Sequence, residues 1–308
     1  MSTAIKDEAW YALLDRLNEQ SVTKHFDAYA DIDWDSEEMR LDPEDPRWEL
    51  SAEDPLSRTE WYRSLPAPAR ARLGCEMTAS KMKTGLQFES SLKRGLLEFA
   101  EGLPNRSPEF RYAYHEVIEE AQHALMFQEF VNRSGFDAAG LGALERFGAR
   151  FVVRIARRFP PLFFVFVLGG EDPIDFVQRR SLRRDDLHPL LERIMRIHVT
   201  EEARHLSFAR HYLKRTVPAL GPARRAVLAV GAPMILAVMA QLMLQPSSQI
   251  VQRHGIPKAV IDEAYRKNPE HKRVTGESLQ KVMTLCKELG LLRPPFGRLW
   301  RALGLRPS

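Results

Sequence analysis

His198-Val199-Thr200-Glu201-Glu202-Ala203-Arg204-His205 is the stretch around which the rest of the chain orders itself. Residues three, four and seven apart share one face of an α-helix, so His198, Glu202 and His205 line up as two imidazoles and a carboxylate on a single stripe. Upstream, Glu119-Glu120-Ala121-Gln122-His123 repeats the Glu-x-x-His spacing with Glu120 and His123. Two such helices, facing each other and joined by one glutamate from each of two further helices, make a carboxylate-bridged di-iron or di-manganese core.

Those two glutamates emerge from the spacing. Glu89 precedes Glu120 by 31 residues, and Glu171 precedes Glu202 by 31. Each falls on the segment before its Glu-x-x-His segment, so the chain reads as two copies of one helix pair around one centre. A carboxylate-rich donor set without thiolates favours iron or manganese over zinc or copper. Buried carboxylates lacking partners are strongly penalised, so four on apolar faces imply cations. The candidate ligands are Glu89, Glu120, His123, Glu171, His198, Glu202 and His205. Glu98 and Glu101 rival Glu89 but lie too near the following loop. Asp172 or Asp175 could replace Glu171, because Gly169, Gly170 and Pro173 make that backbone unlike an ordinary helix interior. Glu119 and Glu201 read either as exposed charges or as groups that hydrogen-bond the ligand histidines and fix their tautomers. Arg204 would neutralise one of them.

The periodicity predicts helices throughout. Residues 75–100 carry Met82, Leu86, Leu92, Leu96 and Phe99 at helical intervals, and Ser107-Pro108 opens a second long helix that stops near Ser134-Gly135. A third helical block follows Asp137 and ends at Pro160-Pro161. The run Leu162-Phe163-Phe164-Val165-Phe166-Val167-Leu168 is helix by context, interrupted at residues 169–173 and resuming to Arg180. Another helix spans residues 187–216. Residues 1–72 form a helical and irregular lead-in, with an amphipathic segment at 10–17 and an acidic loop at 31–54. Two or three shorter helices and a basic tail, residues 293–306, close the chain.

Composition narrows the function classes. The 308 residues contain no linker-like stretch, which predicts one domain over 1–308 with a core at about 76–245 and C-terminal helices at 246–308. Lys and Arg number 45 against 41 Asp and Glu, spread rather than gathered, so no nucleic-acid partner is expected. Two cysteines, Cys75 and Cys286, are too few for a disulfide framework or a Cys-based zinc site and suit a reducing cytoplasm. The acidic start, with Asp7, Glu8 and Asp15, predicts no secretory signal. Residues 226–244 (AVLAVGAPMILAVMAQLML) hold no charge over nearly a membrane-spanning length. A buried central helix in a soluble protein is the expected reading, with no membrane partner.

The segments Glu-Val-Ile-Glu-Glu-Ala-Gln-His at 116–123 and His-Val-Thr-Glu-Glu-Ala-Arg-His at 198–205 resemble the di-iron arylamine N-oxygenases typified by para-aminobenzoate N-oxygenase, over roughly residues 76–245. The distinguishing feature is the third histidine, His198, four residues before the second Glu-x-x-His. The resemblance implies an all-α, ferritin-like helical bundle with additional peripheral helices, and a four-glutamate, three-histidine ligand set at the seven positions above. It implies two Fe ions, O2 as co-substrate, and oxidation of an aromatic amine through hydroxylamine and nitroso stages toward a nitro group in biosynthesis. It also implies a homodimer and an external reductase or electron donor, since no flavin or nicotinamide fingerprint is present. Phe88, Phe127, Phe163, Phe164 and Phe166 are candidate lining for an aryl pocket, with Arg94 or Arg196 as cation for an acidic substrate. The competing functions are a di-iron oxygenase hydroxylating or desaturating carbon, a metal-dependent hydrolase and an iron-storage protein.

Overall fold

A computed structural model describes residues 7–305, and Arg306 of the basic tail lies outside the described residues. Helix α1 (Asp7–Thr23) leads into a segment of short 3-10 turns at Glu37–Met39, Pro46–Trp48 and Pro55–Arg58, then α2 (Glu60–Arg63). The four long helices of the bundle are α3 (Ala67–Glu101), α4 (Pro108–Ser134), α6 (Pro160–Ser181) and α7 (Pro189–Thr216), with α5 (Ala143–Ala156) between the two pairs. Helix α8 (Pro222–Leu244) packs on α6, and α9 (Ser248–Arg253), α10 (Lys258–Ile261), a π-turn at Asp262–Arg266, α11 (Pro269–Ser278), α12 (Gln280–Glu288) and α13 (Gly297–Ala302) close the chain. No strand occurs among the described residues, in keeping with an all-α, ferritin-like fold.

Prolines set several of the starts. α4, α6, α7 and α8 each begin on a proline, whose missing N–H falls where a helix has no internal acceptor anyway. At the other end of α4, Gly135 adopts φ +69°, the left-handed turn that ends a helix without a Cβ clash. α7 is capped by His188, whose Nδ1 accepts from the Leu190 N–H at 3.2 Å while its ring stacks on Trp48 at 4.3 Å.

The long helices pair as α3 with α4 and α6 with α7, and these pairs also touch across α3–α6 and α4–α7. One apolar layer joins Leu92, Leu96 and Phe99 of α3 to Tyr112 of α4, the first half of α6 and the last half of α7, with Phe208. A second layer joins Ala79 and Met82 of α3 to Phe127 and Phe130 of α4 and the first turns of α7, with Ile194. Glu89, Glu120, His123 and the polar stripe of α7 lie at the level between the two.

Four expectations need correction. α6 is one continuous helix across residues 169–173, with Pro173 inside it. The residue four before Pro173 is Gly169, so the proline costs one backbone bond at a turn that carries no side chain, and packing from α5, α7 and α8 holds the helix together. α3 begins at Ala67 rather than near 75, and the C-terminal region holds more short helices than expected. α8 is not buried all round: Leu228, Ala232, Leu236, Met239 and Met243 face the core, whereas Val227, Val230, Met234 and Val238 are exposed on the opposite side. The stretch Pro222–Arg253, which includes α8, is long and apolar enough to cross a membrane, and less than half of its most apolar part is buried against the rest of the protein.

Candidate metal centre

All seven candidate ligands converge. Each is at most 3% exposed, and four overlapping sets bring ligand atoms within 4.8 Å of one another: Glu89 with His123 and His198, Glu120 with His123 and Glu202, Glu171 with His198 and Glu202, and Glu116 with Glu120 and His205. His123 Nδ1 lies 3.3 Å from Glu120 Oε2 and 3.6 Å from Glu202 Oε1. His205 Nδ1 lies 3.0 Å from Glu202 Oε1 and 3.2 Å from Glu120 Oε1. His198 turns the other nitrogen inward, with Nε2 3.4 Å from Glu89 Oε1.

The outer nitrogens are held crosswise. His123 Nε2 donates to Glu201 Oε2 at 2.9 Å, and His205 Nε2 donates to Glu119 Oε2 at 2.7 Å. Each histidine is thus gripped by the glutamate that precedes the metal-facing glutamate of the opposite helix. Arg204 Nη2 lies 2.9 Å from Glu119 Oε1 and 3.4 Å from Glu201 Oε1, so it serves both glutamates rather than one. The Phe26 N–H adds a third hold, donating to Glu201 Oε1 at 3.1 Å. His198 Nδ1 donates to Gln178 Oε1 at 3.0 Å.

Electrostatics record the crowding of like charges. Burial, then the Glu120 charge, pushes the Glu89 carboxyl well above its usual range; burial and then Glu202 do the same to Glu171. Burial pushes Glu116 up to about 8, partly offset by His205. Burial opposes charge on His123, but hydrogen bonds to Glu120 and Glu201 outweigh it and lift the ring to about 9. His198, with burial and then His123 against it, is pushed well down.

A metal pair fits this donor set. Glu89 Oε2, Glu116 Oε2 and Glu202 Oε2 are buried with no hydrogen-bond partner, an arrangement that is costly for polar atoms unless a cation completes it. The rivals are engaged elsewhere. Asp172 pairs with Arg210, Asp175 with Arg179 at 2.7 Å, and exposed Glu101 with Arg157 at 3.1 Å, while Glu98 is half-buried. Arg94 and Arg196 are exposed, Arg196 paired with Glu192 at 2.5 Å, so neither reaches the centre. The aromatic candidates divide. Phe127 lies 5.4 Å from the His198 ring, whereas Phe88, Phe163, Phe164 and Phe166 all belong to the apolar layer with Phe99 and Phe208, Phe88 lying 4.9 Å from Phe166. Two surface clefts, of about 530 and 340 Å³, are lined by residues of the lead-in and by α1 with Arg111, and include none of the cluster.

Two residues escaped the sequence reading. Gln178 sits seven residues beyond Glu171 on the same helix face, a spacing that could have flagged it. Glu116 lies one turn before Glu120 as His198 lies one turn before Glu202, a match hidden by attention to Glu-x-x-His alone.

The family model described as P-aminobenzoate N-oxygenase AurF matches residues 7–290, well beyond the central segment that carries the motifs. An uncharacterized protein of Mycobacterium tuberculosis is 39% identical over 299 residues, which span 96% of this chain and 88% of the relative. One of Mycobacterium bovis is 38% identical over 299 residues, with the same coverage of both chains.

Proposed function

The chain belongs to the p-aminobenzoate N-oxygenase AurF family, and from that premise we propose that it is an O2-dependent monooxygenase that oxidises an aromatic amine toward the hydroxylamine, nitroso or nitro level. The observation that carries this reading is the buried cluster of four glutamates and three histidines, each histidine fixed by an outer acceptor. In it, Glu89, Glu120, His123, Glu171, His198, Glu202 and His205 are the metal ligands. Two irons held there would supply O2 activation, work that side chains alone do not do.

The protein's own contribution is orientation and dryness. Glu119, Glu201 and Gln178 hold the histidines in one tautomer each, and Arg204 balances the added negative charge. Phe127 in one apolar layer and the Phe88–Phe166 pair in the other put aromatic rings on both sides of the ligand level, suited to excluding water and to meeting an aryl ring. Residues 83–87 of α3, just ahead of Phe88, are all half-buried, which favours substrate entry from that side. An external reductase supplies electrons and the protein works in the cytoplasm as a homodimer. The exposed apolar stripe of α8, with Leu144, Phe147 and Phe151 exposed on α5, offers a surface for the second subunit.

The test is turnover of iron-loaded protein with a chemical reductant and ¹⁸O2, using para-aminobenzoate and other arylamines as probes. Labelled oxygen on nitrogen supports the proposal. Labelled oxygen on carbon, or desaturation, transfers the protein to the carbon-oxidising reading. Turnover without O2 marks a hydrolase, and iron uptake into a large cage marks storage.

A further inference from the structure

The internal repeat that relates α3–α4 to α6–α7 pairs Glu89 with Glu171, Glu120 with Glu202 and His123 with His205. The same operation pairs His198, four residues before Glu202, with Glu116, four residues before Glu120. The positions are equivalent in helical phase, so both side chains point into the centre from one turn upstream. The observed groupings share one feature of this symmetry, that each upstream residue meets the histidine of the opposite pair, while their remaining carboxylates, Glu89 and Glu120, are not repeat mates. His198 gathers with Glu89 and His123, and Glu116 gathers with Glu120 and His205.

Resting on the dimetal reading above, we propose that Glu116 is an eighth metal-facing ligand, the carboxylate counterpart of His198, so that each metal takes one donor from one turn before a Glu-x-x-His pair. Glu116 is 1% exposed, its Oε2 has no hydrogen-bond partner, and one of its oxygens lies within 4.8 Å of ligand atoms on Glu120 and His205. Arg204 Nη2 is held by Glu119 and Glu201. Glu119 and Glu201 each meet a histidine and Arg204, and Asp172, whose Oδ2 is also buried without a hydrogen-bond partner, has the Arg210 guanidinium. The His123-side metal then has an imidazole from His198, and the His205-side metal has a carboxylate from Glu116, which makes the two positions unequal in charge and harder or softer accordingly.

The experiment is anaerobic Mn(II) titration of metal-free protein, with unbound Mn(II) read by electron paramagnetic resonance. Wild type is expected to bind two ions. Glu116→Ala should retain one and bind the other at least roughly tenfold more weakly. Glu116→His, which copies the donor of His198, should restore two. Circular dichroism of the metal-free variants checks that helix content is kept, and Glu116→Gln serves if the alanine variant does not fold. Two ions bound with wild-type affinities by Glu116→Ala and Glu116→Gln would overturn the assignment of Glu116 alone. Failure of wild type to bind two ions would overturn the dimetal reading itself, and Glu116 with it.

Discussion

His123 of α4 and Glu201 of α7 are joined at 2.9 Å, and the same relation runs in reverse between His205 and Glu119 at 2.7 Å. Each helix therefore orients the metal-facing ring of the other. Such outer partners typically govern metal affinity by about 10–100-fold. Glu201→Ala is expected to weaken one of the two metals by that factor and leave the helix content unchanged, as read by metal titration and circular dichroism. Unaltered affinity for both metals would mean that the ring is oriented by packing alone.

Gln178 fixes the remaining ring. His198 is kept neutral by burial and by the charge on His123, and its Nδ1–H donates to Gln178, leaving Nε2 as the inward lone pair. In Gln178→Leu, the tautomer is no longer dictated. Nitrogen-15 NMR of the metal-free protein should show a single Nδ1–H tautomer for His198 in wild type and a mixture in the variant. A single tautomer in both would remove Gln178 from its positioning role.

His188 predicts acid sensitivity at some distance from the centre. Burial pushes its pKa down to about 4 from the ordinary 6.5, so the folded protein disfavours the charged ring that an unfolded chain accepts. The stability from this group is whole above pH 6.5 and is lost as pH falls from there through about 4, a change on the order of 3 kcal/mol. Calorimetry between pH 7 and 4.5 should show a shallower fall in Tm for His188→Asn, which keeps a capping acceptor without the titration. Equal slopes would assign the acid loss to other groups.

Gly170 faces Phe88 so closely that an added Cβ would stand 2.1 Å from the ring, and Phe88 is itself pinned against Phe166. Gly170→Ala should cost about 1–3 kcal/mol in urea unfolding. Pairing it with Phe88→Leu should recover part of the loss, because the two changes share one contact. Strict additivity of the two would show that the ring moves aside freely.

Much of this was legible from the chain. The α7 stripe and its α4 echo follow from helical period, and the 31-residue separations place Glu89 and Glu171 because the stretch from glutamate to glutamate is equally long in α3–α4 and α6–α7, although the helices themselves differ in length. Gln178 was legible only as a position on the Glu171 face, since a glutamine seven residues from a candidate ligand is chemically ordinary until a ring is seen beside it. The continuity of α6 was hidden by Pro173, a local breaker outweighed by neighbours on several sides. The exposed side of α8 was equally hidden. An uncharged helix states that its surface is apolar, but which side meets a neighbour depends on the fold.

The Phe26 amide that donates to Glu201 comes from the main chain, 175 residues away in sequence. Its closure entropy must be met before His123 acquires its full set of restraints. The bundle helices pair through nearer contacts, whereas this one hold ties the lead-in, across more than half the chain, to the ring orientation of His123.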